Sequence, residues 1–165
     1  MGSAVAERRR VAFVVAAVAA LVLVDQLTKV WAVAALADGP IPVIGDTVVF
    51  RLTRNPGGAF GRFQGYTPLL AIVAVAITVV IVRQVRRTED RALLVGLVLV
   101  LGGALGNLVD RFVRSPGVLR GHVVDFVAVG WWPVFNVADA CITVGAAVLI
   151  VRTLFPGRSP GERTS

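Results

Sequence analysis

The chain has 165 residues, of which 56% are hydrophobic and only 16% are charged, and its mean hydropathy is +0.81. Soluble domains are about half apolar and about 25% charged, so this composition excludes an ordinary soluble fold. The apolar residues fall in four long runs, which is typical of membrane-spanning helices. Because four spans of about 20 residues would use about half of the chain, we predict one membrane-embedded domain over residues 1–165.

The net charge is +7 and the pI is about 11.4, values that are also found in nucleic-acid-binding proteins. Here, however, the arginines flank the apolar runs, at positions 8–10, 83–91 and 152–163. This placement indicates loops on the cytoplasmic side of a membrane. We therefore predict a membrane lipid environment and no nucleic-acid partner.

The first apolar run, about residues 11–36, follows three arginines and resembles a secretory signal peptide with a cleavage site near residue 36. It is longer than a signal-peptide apolar region, it contains Asp25 and Lys29, and three more spans follow it. An uncleaved first helix is the better interpretation.

Residues 38–67 contain Gly, Pro and alternating apolar positions, which predicts short strands outside the hydrocarbon. Residues 114–133 form a second outer loop, in which Trp131 and Trp132 match an interfacial aromatic belt. We predict an all-α polytopic membrane protein with both termini cytoplasmic and a small extracytoplasmic β-sheet between helices 1 and 2. Its other spans are about residues 68–82, 92–113 and 134–155, and the tail at about 157–165 is expected to be disordered.

Charged side chains inside a bilayer cost about 2.5–3.5 kcal/mol each and usually have a function. Asp25 and Lys29 lie four residues apart on the first span, so they share a helical face and can pair. A structural ion pair and a direct role in substrate contact are both open for these two residues.

The third span ends in a glycine-rich stretch followed by Asn107, Asp110 and Arg111. Small residues allow close packing of helices. Because the neighbouring Arg111 favours an ionised Asp110, this group fits a structural clamp or a holder of peptide backbone better than a proton-transfer site.

Asp125 lies in an apolar stretch without an adjacent cation, and Asp139 lies about one turn inside the fourth span, with Asn136 three residues before it. If the outer loop returns Asp125 to the top of this span, the two carboxylates meet near the membrane boundary. Two close carboxylates share a proton, which is the chemistry of aspartic peptidases. Separate structural or ion-pathway carboxylates remain the alternative from spacing alone.

Other catalytic classes have little support in the sequence. His122 is the only histidine, so a zinc motif of two histidines and a serine or cysteine nucleophile with a histidine base are disfavoured. Cys141 is the only cysteine and is interpreted as a small apolar residue. We predict no metal and no cofactor.

Five strings of residues, in this order, resemble the lipoprotein signal peptidases, also called signal peptidase II. The resemblance covers about residues 22–145, and its strings are 25–29 (DQLTK), 54–60 (RNPGGAF), 106–111 (GNLVDR), 123–126 (VVDF) and 135–139 (FNVAD).

This resemblance implies a monomeric aspartic endopeptidase of the bacterial cytoplasmic membrane, with its site near the extracytoplasmic face. It would cut prolipoproteins before a diacylglyceryl-modified cysteine. The catalytic dyad would be Asp125 and Asp139. The resemblance implies that three residues hold the substrate backbone or orient the dyad: Asn55, Arg111 and Asn136. Four others would brace the site: Asp25, Lys29, Asn107 and Asp110. Gly57 and Gly58 would give backbone freedom near the substrate, or simply form a turn.

One departure from the family pattern is a longer stretch between Arg111 and Val123, which leaves open how Asp125 reaches Asp139. A small ion-coupled transporter is the main alternative function, since intramembrane Asp and Lys also build ion pathways. A structural or assembly protein and a carboxylate-bound metal enzyme are further alternatives.

Overall fold

A computed structural model describes residues 2–57 and 67–155 of the protein, as four helices and three strands. The predicted disordered tail and Gly58 lie outside the described residues. The elements, in chain order, are α1 (Gly2–Ala35), β1 (Ile41–Ile44), β2 (Val48–Asn55), α2 (Thr67–Arg87), α3 (Arg91–Val113), β3 (Val123–Val129) and α4 (Val137–Leu154).

All four helices are long and apolar enough to cross a membrane. Large apolar side chains remain more than half exposed along them, including Phe13, Val30 and Val80. A soluble protein rarely leaves so much apolar surface in contact with water. These surfaces are therefore lipid-facing, and the protein is a multi-pass membrane protein as the composition predicted.

The helix bounds differ from the predicted spans at three places. Helix α1 begins at Gly2, before the predicted start at about residue 11. Helix α2 continues to Arg87, beyond the predicted end at about residue 82. Helix α4 begins at Val137 instead of about residue 134, because Phe135 is bridged to Val127 of β3 and Asn136 caps the helix. Asp139 therefore lies in the first turn of α4.

Helix α3 is the centre of the bundle and packs against each of the other three helices. One buried apolar cluster joins it to α1 and α2, through residues such as Val14, Val85 and Leu101. Its contact with α4 depends on glycine. A Cβ atom on Gly103 would lie 2.4 Å from the backbone oxygen of Ala138, so only glycine allows the two backbones to approach this closely.

The three strands form one antiparallel sheet in the order β1-β2-β3. The predicted strands between helices 1 and 2 are confirmed as β1 and β2. The third strand, β3, comes from the segment between α3 and α4 that was expected to be a loop. It is held because Val124 and Phe126 are buried against the end of α1.

The longer stretch after Arg111 forms a closed loop that turns the chain from α3 into β3. The amide of Gly121 donates to the carbonyl of Arg111 at 3.2 Å, and the amide of His122 donates to the carbonyl of Ser115 at 3.0 Å. The loop lies mostly at the surface, and β3 brings Asp125 opposite Thr53 of β2.

Replacement of Gly103 by alanine is expected to destabilise the protein by about 1–3 kcal/mol, the usual cost of overpacking. The new Cβ would meet the backbone oxygen of Ala138, which cannot move without shifting α4. Thermal unfolding in detergent measures the change. The matched control is Val95→Ala on the exposed face of α3, and an equal loss in both variants would show that close packing at Gly103 is not required.

Candidate active site

Asp125 lies on β3 and its side chain is only 2% exposed. Both carboxylate oxygens accept hydrogen bonds from amide side chains. Asn55 Nδ2, at the end of β2, donates to Oδ2 at 3.0 Å, and Asn136 Nδ2, at the start of α4, donates to Oδ1 at 2.7 Å. The strand pairing and the helix cap together fix the orientation of this carboxylate.

Asp139 is held by the cap of α4. Its backbone amide donates to Asn136 Oδ1 at 2.9 Å, and its Oδ2 accepts from the backbone amide of Asn136 at 3.3 Å, which is a reciprocal capping box. Its Oδ1 accepts from Asn107 Nδ2 at 2.8 Å. Asn136 therefore contacts both Asp125 and Asp139, and the structure brings these two predicted residues to one place.

Both carboxylates line a cavity of about 750 Å³ between α2, α3 and α4. Most of its wall is apolar, with Ala71 and Ala74 from α2 and Ala104 from α3, while Asn55, Asn107 and Arg111 lie near the acids. A mostly apolar cavity with a few convergent polar groups is typical of a binding site.

Burial is the largest influence on Asp125 and raises its pKa to about 6. The hydrogen bond from Asn55 opposes this shift, since it favours the charged form, whereas the negative charge of Asp139 adds to it. A carboxyl group with a pKa near neutrality can both accept and donate a proton, as a general base or acid must do.

Lys29 is completely buried, and Asn107 connects it to Asp139. Its Nζ makes ion pairs at 2.9 Å to Asp25 and at 2.9 Å to Asp110, and donates to Asn107 Oδ1 at 3.0 Å. An ammonium group has three N–H donors, and all are used here. Of the two interpretations left open for Asp25 and Lys29, this geometry fits the structural ion pair.

The two carboxylates that bind Lys29 also hold the elements that carry the acids. Asp25 Oδ1 accepts from the backbone amide of Ala138 at 3.0 Å, in the first turn of α4. Asp110 Oδ2 accepts from the backbone amide of Val124 at 3.1 Å, beside Asp125 on β3. The ion network thus positions both the strand and the helix of the site.

The sequence analysis considered Arg111 as the cation beside Asp110, but Arg111 makes no ion pair with Asp110 in the structure. The cations that pair with Asp110 are Lys29 and Arg114, whose Nε lies 2.7 Å from Oδ1. Arg111 Nη1 instead donates to the backbone carbonyls of Asn55, Pro56 and Gly121 at 3.1, 3.3 and 2.9 Å. The side chain of Arg111 therefore ties the end of β2 to the loop before β3.

Apart from Gly58, which lies outside the described residues, the predicted site residues belong to one connected cluster. Gly57 joins it because its amide donates to Asn55 Oδ1 at 3.0 Å, which leaves Asn55 Nδ2 directed at Asp125.

Sequence reasoning missed two members of the cluster. Arg114 follows Asp110 by four residues, so helical spacing could have identified it. Gln26 Nε2 donates to Asp25 Oδ2 at 3.1 Å and to Asp110 Oδ1 at 3.2 Å, and its adjacency to Asp25 was the available signal.

We expect Lys29→Met to lower the free energy of unfolding by about 3–5 kcal/mol, because it leaves Asp25 and Asp110 as buried charges without their shared cation. Denaturation in detergent measures the loss. Arg152→Gln is the control, since it breaks a partly exposed pair with Asp90, and its effect should be much smaller. Similar losses in both variants would contradict the structural importance of Lys29.

Comparison with known proteins places the chain in one family. The model of the family described as signal peptidase (SPase) II matches residues 17–155. The lipoprotein signal peptidase of Rhodococcus jostii is 53% identical over 95% of this chain and 79% of its own length. That of Mycobacterium avium is 50% identical over 89% of this chain and 81% of its own length.

Two solved structures, both titled as a bacterial membrane enzyme studied by the in meso method, share the fold. One has a TM-score of 0.78 at 26% identity and covers 93% of this chain and 94% of its own. The other has a TM-score of 0.71 at 27% identity and covers 88% and 95%. With a family match over most of its length and close relatives of the same kind, the chain belongs to the signal peptidase II family.

Proposed function

We propose that this protein removes signal peptides from prolipoproteins and that Asp125 and Asp139 carry out the hydrolysis. One observation carries the assignment of the acids: Asn136 bonds to both carboxylates at one end of an apolar cavity. The reaction class follows from membership in the signal peptidase II family. The transporter alternative is not favoured, because relatives at about half identity are named lipoprotein signal peptidases.

The mechanism requires one of the two acids to be protonated and the other ionised, as in other aspartic peptidases. The ionised carboxylate takes a proton from a water molecule, and the water oxygen bonds to the carbonyl carbon of the scissile peptide. The protonated acid donates to the peptide, and the carbon–nitrogen bond then breaks. Burial and the charge of Asp139 raise the pKa of Asp125 to about 6, so a shared proton is available up to about that pH.

The amide side chains around the acids have positioning roles in this proposal. Asn55 and Asn136 hold the two oxygens of Asp125, and Asn107 holds Oδ1 of Asp139. For Arg111, the contacts to three backbone carbonyls favour orientation of the site over direct contact with substrate backbone. The carboxylates therefore reach the substrate with little loss of conformational freedom.

The cavity fits the substrate class that the family implies. Its wall of Ala71, Ala74 and Ile77 on α2, facing α3 and α4, can take an apolar peptide segment from the bilayer. We propose that the diacylglyceryl chains on the substrate cysteine stay in the lipid while the scissile bond lies at the acids. The complete cluster of site residues comes from one chain, which is consistent with a monomer.

The charge distribution supports an orientation in the bacterial cytoplasmic membrane. Arginines lie at the start of α1, at the end of α2 and at the end of α4, so we place these ends and both termini on the cytoplasmic side. The sheet and the two acids then lie toward the extracytoplasmic face. An assembly role for the same polar residues would leave peptide cleavage unaffected by their replacement.

Asp125→Asn and Asp139→Asn are each expected to reduce cleavage of a diacylglyceryl-modified prolipoprotein by about 10²–10⁴-fold, because each removes an acid–base group. The rate is measured with purified protein in detergent. Asp46→Asn, an exposed residue of the β1–β2 turn, is the matched control and should retain the wild-type rate.

Asn at position 125 would place an amide group against the N–H donors of Asn55 and Asn136, so unfolding temperatures must be compared as well. Normal cleavage by either folded variant would disprove the assignment of the dyad. If the wild-type protein does not cleave while it remains folded, the proposed reaction itself is wrong.

The pH dependence gives an independent test of the role of Asp125. Its pKa of about 6 means that the carboxyl is protonated below this pH and ionised above it. If the active form keeps one shared proton, kcat/KM falls as the pH rises through about 6. Asn55→Ala removes a hydrogen bond that lowers the pKa of Asp125, so the falling limb should move to higher pH.

Rates for wild type and Asn55→Ala are therefore measured from pH 4 to pH 9, about two to three units on either side of that pKa. Arg54→Gln, next to Asn55 and exposed, controls for changes in the local strand. A limb that stays at the same pH in Asn55→Ala would exclude Asp125 as the group that controls it.

A further inference from the structure

A second groove, of about 770 Å³, lies between α1 and α2 with α3 as its floor. Val18 and Val22 of α1 and Leu101 and Leu105 of α3 line its middle. None of its lining residues belongs to the cluster around Asp125 and Asp139 except Gln26, which closes one end. Nothing in the proposed reaction uses this groove.

The opposite end of the groove is basic. Arg10 of α1 and Arg86 of α2 line it, together with the single acid Glu7. Arg10 Nη2 donates to the carbonyl of Val85 at 2.7 Å and also to the carbonyl of Thr88. This arginine is therefore held in place at the mouth of the groove, and its remaining N–H groups can bind an anion.

The composition of the walls distinguishes a lipid from another helix as the occupant. Helices in this protein pack through glycine, as Gly96, Gly103 and Gly145 show at the contact of α3 with α4. Among the described residues that line the groove, none is glycine, and most are valine or leucine. Membrane helices dock mainly through small residues, so these branched side chains fit a flexible acyl chain better.

We propose that the groove binds an anionic phospholipid, with an acyl chain along α1 and the phosphate at Arg10 and Arg86. Guanidinium groups form charge-assisted hydrogen bonds to phosphate oxygens, and basic pockets between membrane helices recognise lipid headgroups. From Arg10 to Gln26, α1 rises about 24 Å, which exceeds the depth of one leaflet, about half of 30 Å. A whole acyl chain therefore fits.

Bound lipid would stabilise the bundle, because α1 and α2 are joined across the groove mainly through α3 and the Arg10 contacts. In a neutral detergent, we expect phosphatidylglycerol at tenfold excess over its Kd to raise Tm by about 3 °C. Phosphatidylcholine with the same chains should raise it less. Inorganic phosphate should have no effect, and an equal shift with phosphate would overturn the lipid assignment.

Three variants locate the site. Arg86→Gln should lose the difference between the two lipids, whereas Arg83→Gln, on the same helix but outside the groove, should keep it. Glu7→Gln removes the only acid among the described residues that line the groove, and it should enlarge the difference. Equal losses in Arg83→Gln and Arg86→Gln, or no difference between lipids in wild type, would disprove the site. Because Tm is measured without substrate, the result does not depend on the proposed peptidase function.

Discussion

The buried ammonium group of Lys29 is the interaction on which the site depends. Its three N–H donors go to Asp25, Asp110 and Asn107, and each of these acceptors reaches a different part of the site. Asp25 holds the first turn of α4, Asp110 holds β3, and Asn107 holds Asp139. With Arg114 on Asp110, two cations balance two carboxylates, which is the condition under which buried charges are tolerated.

This ion network can form only where the helices approach closely, and glycine on α3 makes that possible. A Cβ atom on Gly106 would lie 2.7 Å from Asp25 Oδ2, and one on Gly103 would meet the backbone of α4. The glycines and the buried charges are therefore parts of one arrangement. Charged side chains without partners would be costly in a membrane, because they lose their hydration there. Glycines without the close packing would only weaken the helix.

The four helices and two of the strands could be predicted because length and local alternation determine them. Strand β3 was missed, since its burial depends on pairing with β2 more than 65 residues earlier in the chain. Arg114, not Arg111, pairs with Asp110, because helical geometry brings residues four apart together while neighbours point apart. Motif order identified the residues of the site, but their catalytic roles remain predictions.

The structure also separates the four carboxylates of the site into two kinds. Asp25 and Asp110 are in ion pairs with cations, and they act as structural anchors. The hydrogen bonds that Asp125 and Asp139 accept from described residues come from amide N–H groups alone. Amides orient a carboxylate without supplying a full positive charge, and burial raises the pKa of Asp125 to about 6. The charge of Lys29 is balanced within its own network, through its contacts to Asp25, Asp110 and Asn107.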